Sequence, residues 1–152
     1  MRVVLQRIVD GTVVVKNDLV AQISNGLLVY LGVGHEDTEK DAEYLVNKIV
    51  KLRIFEDKSE KLNLSLQDIS GEILVVSQFT LYADCGKRNR PNFLKAAPPD
   101  IAKKLYEYFI AKCKEKQIKT ASGIFGAYMN IKSTNFGPLT IIIDTKESLS
   151  QK

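Results

Sequence analysis

Runs of consecutive apolar residues constrain the fold of this chain more than any other feature of its sequence. The run GLLVYLGVG, residues 26–34, is apolar on both faces of an extended strand, and EILVVSQFTLY, residues 72–82, also predicts a strand. Three further segments are rich in β-branched residues and predict strands: residues 2–9, 12–15 and 20–23. Because Asp10-Gly11 and Asn25-Gly26 are typical turn dipeptides, we predict that they close two hairpins.

Two other segments have the periodicity of amphipathic helices. Thr38 and Asp41 have the spacing of a capping box, which predicts that a helix begins there. A second helix should follow Pro98-Pro99-Asp100, because proline suits the first helical position. The residues expected to face the core are Ala42, Leu45, Val46, Ile49 and Val50 in the first helix, and Ile101, Leu105, Tyr108, Phe109 and Cys113 in the second.

Length and composition indicate one α/β domain. The 152 residues, 45% of them hydrophobic, suit a single strand-rich domain over residues 1–152 with two main packing helices. Periodicity does not show whether its sheet closes on itself. The sequence lacks the apolar run of roughly 18 to 20 residues that a membrane span requires, so no membrane contact is expected. Two widely spaced cysteines, Cys85 and Cys113, suit a reducing compartment, and we predict a cytoplasmic protein.

Several catalytic devices have too few of the residues that they need. The one histidine, His35, lies in the segment GVGHED and is expected to be a surface loop residue. One histidine and two distant cysteines do not make a zinc site, and no glycine-rich loop carries the lysine of a phosphate cradle. We therefore expect no metal and no cofactor. An enzyme of this composition must act on a labile bond or borrow a group from its substrate.

Two short segments remain unexplained by packing alone. Ser77, Gln78 and Thr80 place polar groups at the end of an apolar strand, where a strand fraying into a turn is the alternative interpretation. Gly137-Pro138 interrupts two strand-like runs, where a simple turn is the alternative. Because glycine lacks a Cβ and proline an N–H, the pair offers bare carbonyls and allows a close approach.

These two segments together resemble the signatures of a known family. SQFTL at 77–81 and NFGPLT at 135–140 are similar to the motifs Ser-Gln-Phe-Thr-Leu and Asn-x-Gly-Pro-Val-Thr of D-aminoacyl-tRNA deacylases. The resemblance covers essentially the whole chain and implies a barrel-like sheet. It extends to the segments MRVVLQR, GLLVYLGVG, LRIFED, NLSL, AAPP, GIFGAYM and TIIID.

The resemblance implies a homodimer with its active site at the subunit interface. Gly137 and Pro138 of one subunit, joined by a cis bond, would enter the site formed by Ser77, Gln78, Phe79 and Thr80 of the other. Arg7 and Asn135 would support this arrangement. The implied substrates are D-aminoacyl-tRNA and glycyl-tRNA, and the implied reaction is hydrolysis of their ester bond without a metal.

The family chemistry fits the residues of this chain. An aminoacyl ester is already activated, so positioning of water and a donor to the oxyanion matter more than a strong nucleophile. The resemblance implies that the substrate's 2′-hydroxyl takes part and that the Phe79 N–H is the donor. Thr80 has no adjacent base, so we interpret it as a positioning residue, with a nucleophilic role as the alternative.

The same resemblance accounts for the chirality of the substrate. If the carbonyls of Gly137 and Pro138 hold the α-amino group, a D-residue directs its side chain to solvent, whereas an L-residue clashes with the loop. Related deacylases with a trans Gly-Pro bond tolerate L-alanine, but those resemble Pro-Gln-Ala-Thr rather than Ser77 to Thr80.

A basic cluster follows the first motif and suits the phosphates of tRNA. Lys87, Arg88 and Arg90 are its cations, and the net charge of the chain is +4. Arg88 stands where the family commonly has glycine, and Leu139 replaces the usual valine, a substitution of similar volume. A noncatalytic RNA-binding domain that uses this cluster is the alternative function.

Overall fold

A computed structural model describes residues 1–86 and 89–149 of the chain. The elements follow in the order β1 (Arg2–Val15), β2 (Asp18–Ile23), β3 (Gly26–Gly32), α1 (Glu39–Lys51), β4 (Phe55–Glu56), β5 (Leu62–Leu64), β6 (Glu72–Ser77), a 3₁₀ turn (Phe79–Tyr82), α2 (Pro99–Glu115), β7 (Thr120–Ser122), β8 (Asn130–Asp144) and α3 (Thr145–Leu149). Within these ranges, no helix is both long and apolar enough to cross a membrane.

Strand β1 organises the main sheet. Along one edge it pairs antiparallel with β8, and along the other it pairs first with β3 and then with β2. Strands β6 and β7 extend the sheet beyond β3 in parallel. Because β2 also contacts β6 and β7, the sheet curls into a nearly closed, barrel-like form. The strand-rich α/β fold with a barrel-like sheet is confirmed.

The predicted hairpin at Asp10-Gly11 is wrong, because β1 runs through this dipeptide without a turn. The Asp10 carboxylate instead accepts hydrogen bonds from the N–H and the hydroxyl of Thr134, at 2.9 and 3.0 Å. The dipeptide therefore serves the pairing of β1 with β8. The reversal after β1 occurs at Lys16 and Asn17, whose φ angles of 49° and 73° are those of a tight turn.

The second predicted hairpin, at Asn25-Gly26, is wrong too. Strands β2 and β3 both pair with β1, so neither has the other as its antiparallel neighbour. Gly26 is needed for a different reason, since a Cβ at this position would lie 1.9 Å from the Glu72 carbonyl oxygen. The glycine allows β3 to approach β6 closely.

The two long helices cover one face of the sheet. All five residues predicted to face the core from α1 are buried, and Asp41 accepts hydrogen bonds from the N–H and hydroxyl of Thr38.

The predicted face of α2 is partly wrong: Ile101 is exposed, whereas Tyr106 is buried. The Tyr106 hydroxyl donates to the carbonyls of Val75 and Gly123 and so fixes α2 against β6. Burial raises the pKa of Tyr106 to about 12, so this donor stays protonated.

Candidate active site

The first motif begins at the end of β6 and continues into the 3₁₀ turn. Ser77 is the last residue of β6 and pairs with Leu31 of β3, and the Gln78 N–H donates to the Leu31 carbonyl at 2.8 Å. Ser77 and Gln78 are half-buried, whereas Phe79 and Thr80 are exposed. The motif therefore joins a buried strand to an accessible turn, and Ser77 is held at a fixed register.

Gly32, the last residue of β3, and Gly34, just after it, let the turn lie against the sheet. A Cβ at Gly32 would be 3.0 Å from the Gln78 carbonyl oxygen and 3.1 Å from the Leu81 Cβ. A Cβ at Gly34 would lie 2.9 Å from three atoms of the Tyr82 side chain. The LGVG segment carries no phosphate-binding residues. Its two glycines instead allow the 3₁₀ turn to pack closely against it.

Charged and polar groups hold the turn from below. Arg2 donates to the Leu81 carbonyl at 3.2 Å, pairs with Asp144 at 2.6 Å and stacks on the Tyr82 ring. The Tyr82 hydroxyl donates to Asp37, which also accepts the Gly34 N–H at 2.6 Å. Burial, followed by the Asp37 charge, raises the pKa of Tyr82, so the hydroxyl remains a donor. The turn is therefore fixed at both its backbone and its last side chain.

The side chains of the 3₁₀ turn contact neighbouring side chains. The Gln78 side-chain amide donates to the Thr80 hydroxyl oxygen. An amide is no general base, so this contact orients Thr80 without activating it. Phe79 packs edge-on against Phe93, with ring centroids 4.9 Å apart and an interplanar angle of 69°. This contact directs the exposed Phe79 ring and leaves Thr80 accessible.

The second motif forms a wide bulge in β8, which we call the Gly-Pro loop (residues 136–139). Gln6 of β1 pairs with Thr140, and Ile8 pairs with Asn135, so the four residues of the loop stand opposite Arg7 alone. The Gly137-Pro138 peptide bond is cis, as the resemblance implies, and Gly137 has φ of 125°. A proline that lacks a ladder donor is tolerated in such a bulge.

Asn135 closes the Gly-Pro loop at its base. Its Oδ1 accepts the Leu139 N–H at 3.1 Å, and its Nδ2 donates to the Thr140 hydroxyl at 3.0 Å. The spacing of asparagine, glycine, proline and threonine in NFGPLT therefore has a structural reason within one chain: Asn135 and Thr140 join the two ends of the loop.

Arg7 holds the loop from the side of β1. Its side chain is buried, its Nε donates to the Phe136 carbonyl at 3.1 Å, and the guanidinium stacks on the Phe136 ring at 5.3 Å. A Cβ at Gly137 would lie 2.7 Å from Nη2 of Arg7. Glycine is thus required both by its φ and by the close guanidinium.

A single chain keeps the two motifs apart. Through Leu31, Ser77 is in register with Val3 of β1. Three strand spacings, or about 14 Å measured across the sheet, separate Ser77 from β8. The loop is level with Arg7, four residues or about 13 Å further along β1. The structure therefore groups Ser77 to Thr80 in one place and Arg7, Asn135, Gly137 and Pro138 in another.

The comparison with known proteins assigns the family. The family model described as D-Tyr-tRNA(Tyr) deacylase matches residues 4–144. The chain belongs to this family. Among curated relatives, the D-aminoacyl-tRNA deacylase of Thermosipho africanus is 52% identical and that of Clostridioides difficile 51% identical, each over 97% of this chain and 99% of the relative.

Solved structures agree with the fold of this deacylase family member. A c-Myc DNA unwinding element binding protein is similar with a TM-score of 0.87 and 38% identity, over 95% of this chain and 98% of the other. A probable eukaryotic D-amino acid tRNA deacylase is similar with a TM-score of 0.79 over 93% and 97% of the chains, and its 20% identity shows the fold alone.

The basic cluster is only partly described in this deacylase family member. Lys87 and Arg88 lie outside the described residues, and Arg90 is exposed. Asp84 and Asn92 form a two-way backbone pair, at 2.9 and 3.1 Å, that closes the base of this segment. The pKa of Asp84 is lowered by the Gly86 N–H and then by Asn92, so its carboxylate stays charged.

The described ranges contain no group of three histidine, cysteine, aspartate or glutamate side chains placed to hold a metal ion. His35 is exposed and its Nε2 contacts the Leu94 carbonyl at 2.9 Å, which makes it a loop residue as predicted. Cys85 is exposed and Cys113 is buried, where burial raises its pKa to about 12. The Cys113 thiol is therefore a packing group.

Sequence patterns missed the residues that support the turn. Arg2, Asp37 and Tyr82 are distant in sequence, and no motif signals their contact. The available signal was Arg2 itself, a cation inside an apolar strand, which needs a partner for its charge. Its partner, Asp144, lies at the other end of the chain.

Proposed function

We propose that the chain is a D-aminoacyl-tRNA deacylase, which hydrolyses the ester bond between tRNA and a D-amino acid or glycine. Its family membership, and relatives of about half identity that carry this name over nearly their full length, support the proposal. Its products would be free tRNA and the free amino acid, and its effect would be to keep D-residues out of translation. The tRNA substrate and the reducing environment suited to two thiols favour a cytoplasmic location.

One observation carries the proposed architecture of the site. The Gly-Pro loop and the segment Ser77 to Thr80 lie far apart in one chain, yet each is held by hydrogen bonds and each has exposed residues. We infer a homodimer in which the loop of each subunit meets the segment of the other, so that both copies complete a site. Two exposed apolar residues, Phe136 in the loop and Ile142 beyond it, at 52% and 73% exposure, suit an interface with a second copy.

In the proposed site, the protein would act mainly by placing the substrate correctly. The substrate carbonyl would lie against the start of the 3₁₀ turn, where the Phe79 N–H is among the groups that a helix leaves without an internal acceptor. The vicinal 2′-hydroxyl of the tRNA would assist attack on the ester. Thr80, oriented by Gln78, would place the substrate rather than attack it. Because an activated ester needs little further activation, the reaction would proceed without a metal.

Chiral selection would reside in the Gly-Pro loop of the second subunit. Its Gly137 and Pro138 carbonyls would hold the α-amino group, so that an L side chain points into the loop and a D side chain into solvent. Glycine has no side chain to reject and would also be hydrolysed. Arg7 and Asn135 would keep the carbonyls in place through the contacts described above.

A noncatalytic nucleic-acid-binding function is the second candidate. The structural neighbour with 38% identity is named for binding a DNA element, and the cations Lys87, Arg88 and Arg90 suit phosphates in either function. This candidate predicts salt-sensitive binding of tRNA with no turnover. The pairing of two family motifs favours the deacylase.

The test is amino acid release from D-tyrosyl-tRNA and L-tyrosyl-tRNA by catalytic amounts of protein, with EDTA present. The deacylase predicts many turnovers with the D-substrate and release from the L-substrate near the uncatalysed rate. Equal release from both substrates contradicts chiral selection. Binding of tRNA without release establishes the second candidate.

A further inference from the structure

The Arg7 guanidinium joins the Gly-Pro loop to a second part of the chain. Besides its bond to Phe136, its Nη1 donates to the Ile54 carbonyl at 2.9 Å, and its Nη2 lies 3.5 Å from Oε1 of Glu56. Ile54 and Glu56 belong to the LRIFED segment, which the proposed reaction does not otherwise use. The guanidinium therefore lies between this segment and the loop.

Glu56 supplies the charge that a buried guanidinium requires. The Arg7 side chain is 6% exposed, whereas that of Glu56 is 44% exposed. Within residues 1–86 and 89–149, Glu56 has the one carboxylate that lies within 4.0 Å of Arg7. A buried cation is strongly destabilised without an opposite charge and full hydrogen bonding. Removing the charge of the more exposed Glu56 therefore mainly affects Arg7, because the buried guanidinium loses its nearby anion.

The hairpin formed by β4 and β5 keeps Glu56 in a fixed position. Glu56 pairs with Leu62 across the hairpin. In the connecting turn, the Asp57 carboxylate accepts the N–H groups of Ser59 and Lys61 and the side-chain amide of Asn63. The bond from Asn63, followed by those from the backbone, keeps the pKa of Asp57 below its usual value, so the turn is held by a charged acceptor.

We propose that Glu56 is a positioning residue for chiral selection and acts on the Gly-Pro loop through Arg7. The proposal rests on the proposed function, because it gives Glu56 a role in the same site. With Glu56 in place, Arg7 contacts Ile54 and Glu56 on one side and donates to the Phe136 carbonyl on the other. The β4–β5 hairpin is thereby a support for the loop carbonyls that would meet the substrate of the partner subunit.

The first arm of the test measures discrimination in full-length Glu56→Gln. Rates of release from D-tyrosyl-tRNA and L-tyrosyl-tRNA are compared with those of the wild type. We expect the ratio of D to L rates to fall about tenfold, mainly through faster L-release, since a loop that is held less firmly clashes less with an L side chain. The matched control is Glu36→Gln, which removes an 86% exposed carboxylate that lies 3.7 Å from Lys146. Its ratio should equal that of the wild type.

The second arm measures the loop without reference to activity. Hydrogen exchange over residues 134–142 reports on the Leu139 N–H, which is bonded to Asn135 at 3.1 Å in the intact loop. We expect exchange about fivefold faster in Glu56→Gln than in the wild type or Glu36→Gln, since local opening follows loss of support. Thermal melts show whether each variant is folded. Arg7→Lys, which lacks the planar guanidinium, is a second variant in which exchange should also be faster.

The outcomes separate this inference from the proposed function. Faster exchange with a reduced D to L ratio supports it. Unchanged exchange in folded Glu56→Gln overturns the coupling of Glu56 to the loop, and faster exchange with an unchanged ratio overturns its role in selection. Absence of D-release from the wild type overturns the proposed function and the role in selection with it, while the exchange measurement still decides the coupling.

Discussion

The side-chain oxygen of Asn135 accepts the backbone N–H of Leu139 at 3.1 Å and thereby spans the loop that contains Gly137 and Pro138. Its amide nitrogen donates to Thr140, so one side chain closes both ends of the loop. Rigid carbonyls are what a chirality filter requires, because a mobile loop can move away from the wrong side chain.

Asn135→Ala should therefore weaken the proposed site without unfolding the chain. The half-buried side chain makes two hydrogen bonds, and their loss frees the loop base. We expect kcat/KM for D-tyrosyl-tRNA to fall about tenfold, as expected when a positioning contact is removed. Asn135→Asp retains an acceptor for the Leu139 N–H and should lose less activity. Equal activity of Asn135→Ala and the wild type contradicts the role of the loop base.

Thr80→Ala separates positioning from nucleophilic attack. Since Gln78 donates to the Thr80 oxygen and supplies no base, we expect kcat to fall by no more than about tenfold. A nucleophile would instead lose about three orders of magnitude or more on removal. Single-turnover rates with D-tyrosyl-tRNA for Thr80→Ala and Thr80→Ser decide between the two. Near-complete loss in Thr80→Ala alongside full activity in Thr80→Ser would support the nucleophile.

Gly34→Ala should displace the support of the 3₁₀ turn. The new Cβ would lie 2.9 Å from the buried Tyr82 ring, whose hydroxyl is tied to Asp37. We expect a loss of about 1–3 kcal/mol in the free energy of unfolding, as for other overpacked sites, measured by urea denaturation. Gly86→Ala is the control, because its nearest atom is Oδ1 of the exposed Asp84 at 3.3 Å. Equal midpoints for the two variants would contradict the close fit.

Acid should destabilise the fold partly through Asp41. Burial acts to raise its pKa, but hydrogen bonds from Thr145 and Thr38 outweigh this, and its pKa lies below the ordinary 3.8. Because the folded state holds this proton less tightly, the stabilisation is present above about pH 3.8 and is lost as the pH falls through the folded pKa.

Asp41→Asn tests this dependence, because an asparagine does not titrate. Urea midpoints at pH 6 and pH 3, at one protein concentration, should differ less in Asp41→Asn than in the wild type. Thr145→Val removes one donor to Asp41 and should also reduce the difference. The same difference in all three proteins would show that Asp41 contributes nothing to acid unfolding.

Sequence patterns predicted strands and helices that show their buried face in their own periodicity. They missed features that depend on contacts between residues distant in the sequence. The buried strands β3 and β6 and the stripe of α1 were confirmed because periodicity reports burial directly, but the strand predicted over residues 72–82 is wrong beyond Ser77, where the 3₁₀ turn Phe79–Tyr82 follows. Asp10-Gly11 failed as a turn because the Asp10 carboxylate binds Thr134, a partner 124 residues away.

The candidate site shows the same division. The motifs around Ser77 and Gly137 were recognisable in the sequence, but the contacts that position them were not. Arg2 under the 3₁₀ turn and Glu56 beside Arg7 depend on strands and hairpins that meet only in the folded chain. Charged residues within apolar segments were the one signal that these positions gave.

The most direct test of the composite site mixes two inactive proteins. One carries Gly137→Ala, which should displace the loop from Arg7, and the other carries Phe79→Pro, which removes the proposed N–H donor. After subunit exchange, half of the dimers should be mixed and each should hold one intact site, so about a quarter of wild-type release from D-tyrosyl-tRNA should return. No recovery, in a mixture shown to contain mixed dimers, would contradict a site assembled from two subunits.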